Sequence, residues 1–236
     1  MTVTPGTLYG VGVGPGDPEL LTLKAVRLVQ ASPVIAYPAA EHRDSIARGI
    51  VSAYLRADQI EVALRFPLSD SAAPAQAFYD ATALALGEHL EAGRDVAVLC
   101  EGDPMLYGTF MYLYTRLADR FRAEIVPGIS SLTATASVLG VPLAFRNDVL
   151  SIIPAGLPAD VLRARLEAAD AAVIIKLGRY FEKVRDVLRD LGVADRAHYV
   201  ERATTGRERI LPLEDVDPAA VPYFSLIVLP SDWRPS

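Results

Sequence analysis

The stretch Val96–Gly108, VAVLCEGDPMLYG, decides how the chain is read. An apolar run reaches Cys100, breaks into Glu101-Gly102-Asp103-Pro104, and resumes with a helix-like pattern. A short uninterrupted apolar run fits a strand covered on both faces, as in a parallel sheet. Gly102 permits a positive φ or a close backbone approach. Asp103 brings a carboxylate that accepts from following amides, and Pro104 suits a first helical turn because it needs no donor there. Ligands of open α/β sheets bind beyond the carboxyl ends of the strands, so this turn is either a ligand loop or a strand-to-helix cap.

Working outward, 236 residues suffice for one large domain or two modest ones. A composition 51% hydrophobic with mean hydropathy +0.25 argues for a packed core rather than disorder. No apolar run nears the roughly 20 residues that cross a bilayer, and MTVTPGTLYGVGVG lacks a basic segment followed by an apolar core, so the expectation is a cytoplasmic chain without membrane association. The single cysteine, Cys100, excludes an intrachain disulfide, and His42, His89 and His198 lack paired ligand spacing, so no metal ligation is expected. A formal charge of -6 argues against a general nucleic-acid binder but leaves room for a polyanionic small molecule held by local basic residues.

Along the chain, Thr7 to Val13 reads as a first strand, followed by Gly12, Gly14, Pro15 and Gly16 and a helix-like stretch from Asp17 to Val26. Pro15 interrupts the dinucleotide-binding glycine spacing, and Asp17 stands where a pyrophosphate would seek the helix N-terminus. Further strands are expected at Pro33–Tyr37, Gln59–Leu64, Glu124–Val126, Val149–Ile153, Ala171–Lys176, Ala197–Val200 and Ser225–Leu229. Helices are expected at Asp44–Tyr54, Gln76–Glu91, Leu106–Leu117, Ser131–Leu139, Asp160–Ala168 and Phe181–Leu191, with a loop at Pro67–Pro74 and a linker at Gly140–Asn147. The alternation predicts an α/β fold.

Four landmarks in this order resemble the tetrapyrrole (corrin/porphyrin) methylases, the class III S-adenosylmethionine methyltransferases. They are Gly12-Val13-Gly14-Pro15-Gly16-Asp17 with Leu20-Leu21-Thr22; Glu101-Gly102-Asp103-Pro104; Val126-Pro127-Gly128-Ile129-Ser130-Ser131; and Glu201-Arg202-Ala203-Thr204. Ile35-Ala36-Tyr37-Pro38 and Tyr107-Gly108-Thr109-Phe110-Met111-Tyr112-Leu113 look most like the branch that methylates precorrin-2 at C20. Family members acting on uroporphyrinogen III usually carry Asp-Arg after the second strand's tyrosine; here Pro38 follows Tyr37.

The resemblance implies two α/β domains, at 1–121 and 122–236, with S-adenosyl-L-methionine in the cleft between them, and a homodimer. Carried over by position, it implies a cofactor shell of Pro15, Glu101, Gly102, Asp103, Leu106, Ser130, Ser131, Leu177 and Ala203, with Glu101 and Leu177 replacing a frequent glycine and methionine. The implied substrate is a reduced tetrapyrrole bearing eight carboxylates, in metal-free or cobalt-containing form. Arg43, Arg146, Lys176, Arg179 and Arg202 are candidate partners for those carboxylates, and Asp103 or Glu101 a candidate proton acceptor.

Overall fold

The structure, a computed structural model, describes residues 3–39, 44–65 and 72–232, with side chains described from 75 onward in the last stretch. It divides into two compact units, Met1–Ser130 and Ser131–Ser236.

The first unit is built on five parallel strands, β1 (Leu8–Gly12), β2 (Val34–Ala39), β3 (Ile60–Arg65), β4 (Val96–Cys100) and β5 (Ala123–Val126), in the order β3-β2-β4-β1-β5. Two helices, α1 (Leu23–Ala31) and α2 (Ile46–Ile50), cover one face, and α3 (Ala72–Glu91) and α4 (Phe110–Leu117) the other. The apolar run of β4 follows from this position. Val96, Val98 and Cys100 pack toward α3 and α4 while Ala97 and Leu99 pack toward α1 and α2, so all five residues are buried. Tyr79, Ala83, Leu86 and Leu90 recur at helical spacing and give α3 one buried stripe. Each large side chain so buried contributes about 1.5–3 kcal/mol.

The second unit has a mixed sheet of β6 (Leu150–Pro154), β7 (Ala171–Ile175), β8 (His198–Glu201), β9 (Arg209–Leu211) and β10 (Ser225–Leu229), ordered β6-β7-β10-β8-β9. Only β6 and β7 pair in parallel; β10 runs antiparallel to both β7 and β8, and β9 is an antiparallel edge. One face is covered by α6 (Ala159–Glu167) and α7 (Phe181–Asp190). On the other, Leu132 of α5 (Ser131–Leu139) packs against Val173, Leu226 and Val228.

Several expectations are corrected. The division falls after Ser130, not after residue 121, because β5 completes the first sheet beside β1. The stretch from Asp17 to Val26 is not one helix: Asp17 caps a 3-10 turn, Pro18–Leu20, and the Thr22 hydroxyl then caps α1 by accepting from Ala25 N at 3.1 Å. Helix α3 begins at Ala72, inside the expected loop, whose residues 67–71 lie outside the described residues. Helix α4 begins at Phe110, not Leu106, which leaves 104–109 as loop. The short edge strand β9 carries too few residues for alternation to show.

Candidate functional site

The connections from β1 and β4 leave neighbouring strands in opposite directions, one toward β2 and the other toward β5. That reversal marks the crevice of an open α/β sheet. Here it is lined by backbone. Val13 N donates to Cys100 O at 2.9 Å, and Gly14 and Gly102 form an isolated antiparallel bridge in which Gly102 N donates to Gly14 O at 2.8 Å. Gly14 and Gly102 sit at φ 78° and 67°, in the left-handed region open to glycine. A Cβ on Gly12 would stand 2.5 Å from Gly128 N, and one on Gly128 would stand 2.0 Å from Gly102 O. Three loops thus meet through glycines that leave no room for a methyl group.

Asp103 fastens this junction. Its Oδ1 accepts from Met105 N at 2.9 Å and its Oδ2 from Gly128 N at 3.0 Å, so one carboxylate both shapes its own turn and ties the β4 loop to the β5 loop. Beyond it Met105, Leu106 and Tyr107 are exposed in succession, with Tyr107 at φ 54°. A loop turning three consecutive apolar side chains outward offers contact area for a ligand.

Glu101 behaves differently from Asp103. It continues the alternation of Ala97 and Leu99, on the face that carries α2, and its Oε1 accepts from Ala47 N at 3.2 Å. Burial pushes its carboxyl above the usual carboxylate range, and the amide bonds from its own backbone and Ala47 only partly oppose that. Burial also raises the neighbouring Cys100 thiol, with the Glu101 and Asp103 charges adding to the effect, so Cys100 is a packed thiol and not a nucleophile. Nearby, Arg48 of α2 grips Glu61 through Nε at 2.5 Å and Nη2 at 2.8 Å, and that guanidinium holds the Glu61 carboxyl below its usual range.

In the second unit the carboxyl ends of β6, β7 and β8 share one edge with the start of β10. Lys176, Arg202 and Thr204 there adopt φ 60°, 51° and 66°, each at a cost of about 1–2 kcal/mol for a side-chain-bearing residue. The Thr204 hydroxyl is also buried without a hydrogen-bond partner among the described residues. Strained backbone and an orphaned polar atom in one turn mark a site that structure alone does not explain. Glu201 just before it is buried but satisfied, accepting from Tyr199 Oη at 2.9 Å and Arg209 Nη1 at 3.1 Å.

The residues expected at the cofactor therefore fall on two strand-end clusters, each within its own unit. Half-buried Pro15, Glu101 and Asp103, buried Gly102, exposed Leu106 and half-buried Ser130 lie on the first, and Leu177 and Ala203 on the second, beside Lys176 and Arg202, which were expected at the substrate carboxylates. Ser131 opens α5 and is exposed. Leu177 is fully buried in the second core. Arg146 is exposed at φ 39° on the linker after α5; Arg179 lies over the Tyr180 ring at 5.1 Å; Arg43 lies outside the described residues. The steric role of Gly12 and Gly128 and the strain at Thr204 escaped the sequence reading, because neither contact distance nor φ is written in a motif.

A family model for tetrapyrrole (corrin/porphyrin) methylases matches residues 7–217. The chain belongs to this family. Within it, the chain is 47% identical over 237 residues to the cobalamin biosynthesis protein CobIJ of Mycobacterium tuberculosis, covering 97% of this chain and 47% of that protein, so it spans about half the length of this relative. It is 43% identical over 237 residues to a precorrin-2 C(20)-methyltransferase of a Sinorhizobium species, covering 97% and 96% of the two chains. The uroporphyrin-III C-methyl transferase of Thermus thermophilus, solved with S-adenyl homocysteine, superposes with a TM-score of 0.71 at 28% identity over 95% of this chain and 97% of that one.

Proposed function

We propose that this chain transfers a methyl group from S-adenosyl-L-methionine to C20 of precorrin-2, giving precorrin-3A in cobalamin biosynthesis. The observation that carries the reading is the end-to-end match to the Sinorhizobium precorrin-2 C(20)-methyltransferase. The two strand-end clusters support the choice of methyl donor: a glycine-packed junction fastened by Asp103 suits close backbone approach, and the orphaned Thr204 hydroxyl offers an unused polar group.

In this reading Pro15, Gly102, Asp103, Leu106, Ser130 and Ser131, with the backbones of Leu177 and Ala203, hold the cofactor. Bound S-adenosyl-L-methionine supplies an electrophilic methyl on a sulfonium, a ready leaving group. The protein's task is then to align the electron-rich ring carbon and exclude water. Arg43, Arg146, Lys176 and Arg202 supply charge-assisted contacts to the ring carboxylates. The enzyme works as a homodimer in the cytoplasm, on a small-molecule tetrapyrrole and not on nucleic acid. Among the described residues no helix is long and apolar enough to cross a membrane.

Incubation with S-adenosyl-L-methionine and precorrin-2, followed by mass measurement and NMR assignment of the new methyl, tests the proposal. One methyl at C20 is expected. A parallel incubation with the cobalt-containing counterpart separates the two substrates, and no mass gain or a methyl on another carbon rejects the reading.

A further inference from the structure

Methylation of a ring carbon that bears hydrogen needs two changes of bonding. The ring carbon forms its bond to the methyl as the methyl–sulfur bond breaks, and the sulfur keeps that electron pair as a neutral thioether. The C–H bond on the same carbon must then break, its electrons restoring the ring's π system, and the proton needs an acceptor.

At the carboxyl ends of the first sheet, most carboxylates already have work. Both Asp103 oxygens accept backbone amides. Asp17 accepts from Glu19 N at 2.8 Å as the cap of its 3-10 turn. Glu61 is held in a two-point pair by Arg48, and Asp44 is exposed to solvent. β2 ends on Tyr37, Pro38 and Ala39, none of which carries a carboxylate. Glu101 remains. It directly precedes Gly102 of the loop junction, its Oε1 takes one amide, and no arginine or lysine of the described residues pairs with it. Glu101 follows directly on β4, whose neighbours in the sheet are β1 and β2, so it leaves an interior strand and not an edge.

We infer that Glu101 is the proton acceptor of the methylation, taking the proton from the methylated ring carbon onto its carboxylate. This rests on the C20-methylation reading. A carboxylate drawn partly out of water is a stronger base than a solvated one, which suits it to a weakly acidic C–H. Its amide bond to Ala47 fixes the carboxylate's orientation against α2.

The decisive variant is Glu101→Gln, because glutamine keeps an oxygen for the Ala47 amide and the same shape while losing the basic site. The expected result is a fall in kcat of about 10²–10⁴-fold, the usual contribution of a positioned base. KM and S-adenosylhomocysteine affinity by calorimetry should stay close to wild type. Substrate deuterated at the reacting carbon should show a larger isotope effect on the variant, because C–H cleavage then limits the rate. The wild-type rate should fall as pH drops through a value above the ordinary carboxylate range. Glu101→Asp should retain that limb at reduced rate, and Glu101→Gln should lose it. Carbon-13 NMR of the ligand-free protein should find the Glu101 carboxyl titrating above that range. A Glu101→Gln enzyme with near wild-type kcat, an unchanged isotope effect and the same pH limb overturns the assignment. A wild-type protein that methylates no tetrapyrrole at C20 overturns the C20-methylation reading instead, and the NMR titration still reports on the carboxyl itself.

Discussion

The strand ends of the two units place backbone for ligands in opposite ways. In the first, Gly12, Gly102 and Gly128 touch so closely that a single methyl group has nowhere to go. In the second, glycines at the corresponding edge, Gly178 and Gly206, have open space around them although their φ values are 39° and 70°. There Lys176, Arg202 and Thr204 hold left-handed backbone while keeping their side chains. Glycine is demanded in the first unit by contact between loops. In the second, what is demanded is a backbone direction, and residues with useful side chains supply it at a cost in strain.

The sharpest way to break this comparison is Gly128→Ala. Its Cβ would lie 2.0 Å from Gly102 O, so backbone must move, and a loss of about 3 kcal/mol is expected in urea denaturation, the upper end for overpacking. A loss under 1 kcal/mol shows that the junction yields easily and that glycine is not required by contact.

Asp103→Ala should come next. It removes two amide acceptors and costs about 1–3 kcal/mol, with weaker S-adenosylhomocysteine binding by calorimetry because the β4 and β5 loops are no longer tied. Wild-type affinity in a folded Asp103→Ala protein rejects the junction as part of the cofactor site.

Thr204→Gly should act in the opposite direction. It removes left-handed strain and an orphaned hydroxyl together, so stability should rise by about 1 kcal/mol, equivalent to roughly 2–4 °C in Tm for a chain of this size. Cofactor affinity should fall in the same protein. Unchanged stability means the turn is not strained at Thr204.

The smallest effect concerns Glu101→Gln and depends on pH. Burial raises the Glu101 pKa above its unfolded value, so the protonated form favours the folded state. That contribution is complete below the ordinary carboxylate range and is lost as pH rises through the folded value. Urea midpoints of wild type and Glu101→Gln should therefore coincide near pH 3, with the variant the more stable at pH 8. Equal midpoints at both pH values contradict a desolvated carboxylate.

Much of this architecture is legible in the residues. β4 is visible as an unbroken apolar run because a central parallel strand is buried on both faces, and α7 because Phe181, Val184, Val187 and Leu188 recur at helical spacing. The 104–109 loop is not, since Leu106, Tyr107 and the residues of α4 carry similar apolar content, and the left-handed φ of 54° at Tyr107, which a helix does not admit, is not written in the residue type. The unit boundary also escapes local reading, because β5 belongs to the first unit through hydrogen bonds to β1, more than a hundred residues earlier.

For Val96–Gly108, the sequence by itself determined a buried strand, a glycine turn and two acidic residues. It also determined the family, since four landmarks in order need no coordinates. Only the tertiary structure decided what the acids do. Asp103 closes on Met105 and Gly128 while Glu101 turns under α2 into a desolvated position. The reason is that a carboxylate's role depends on which amides and charges surround it, and those come from β5 and α2, remote in sequence and adjacent only once the sheet has formed.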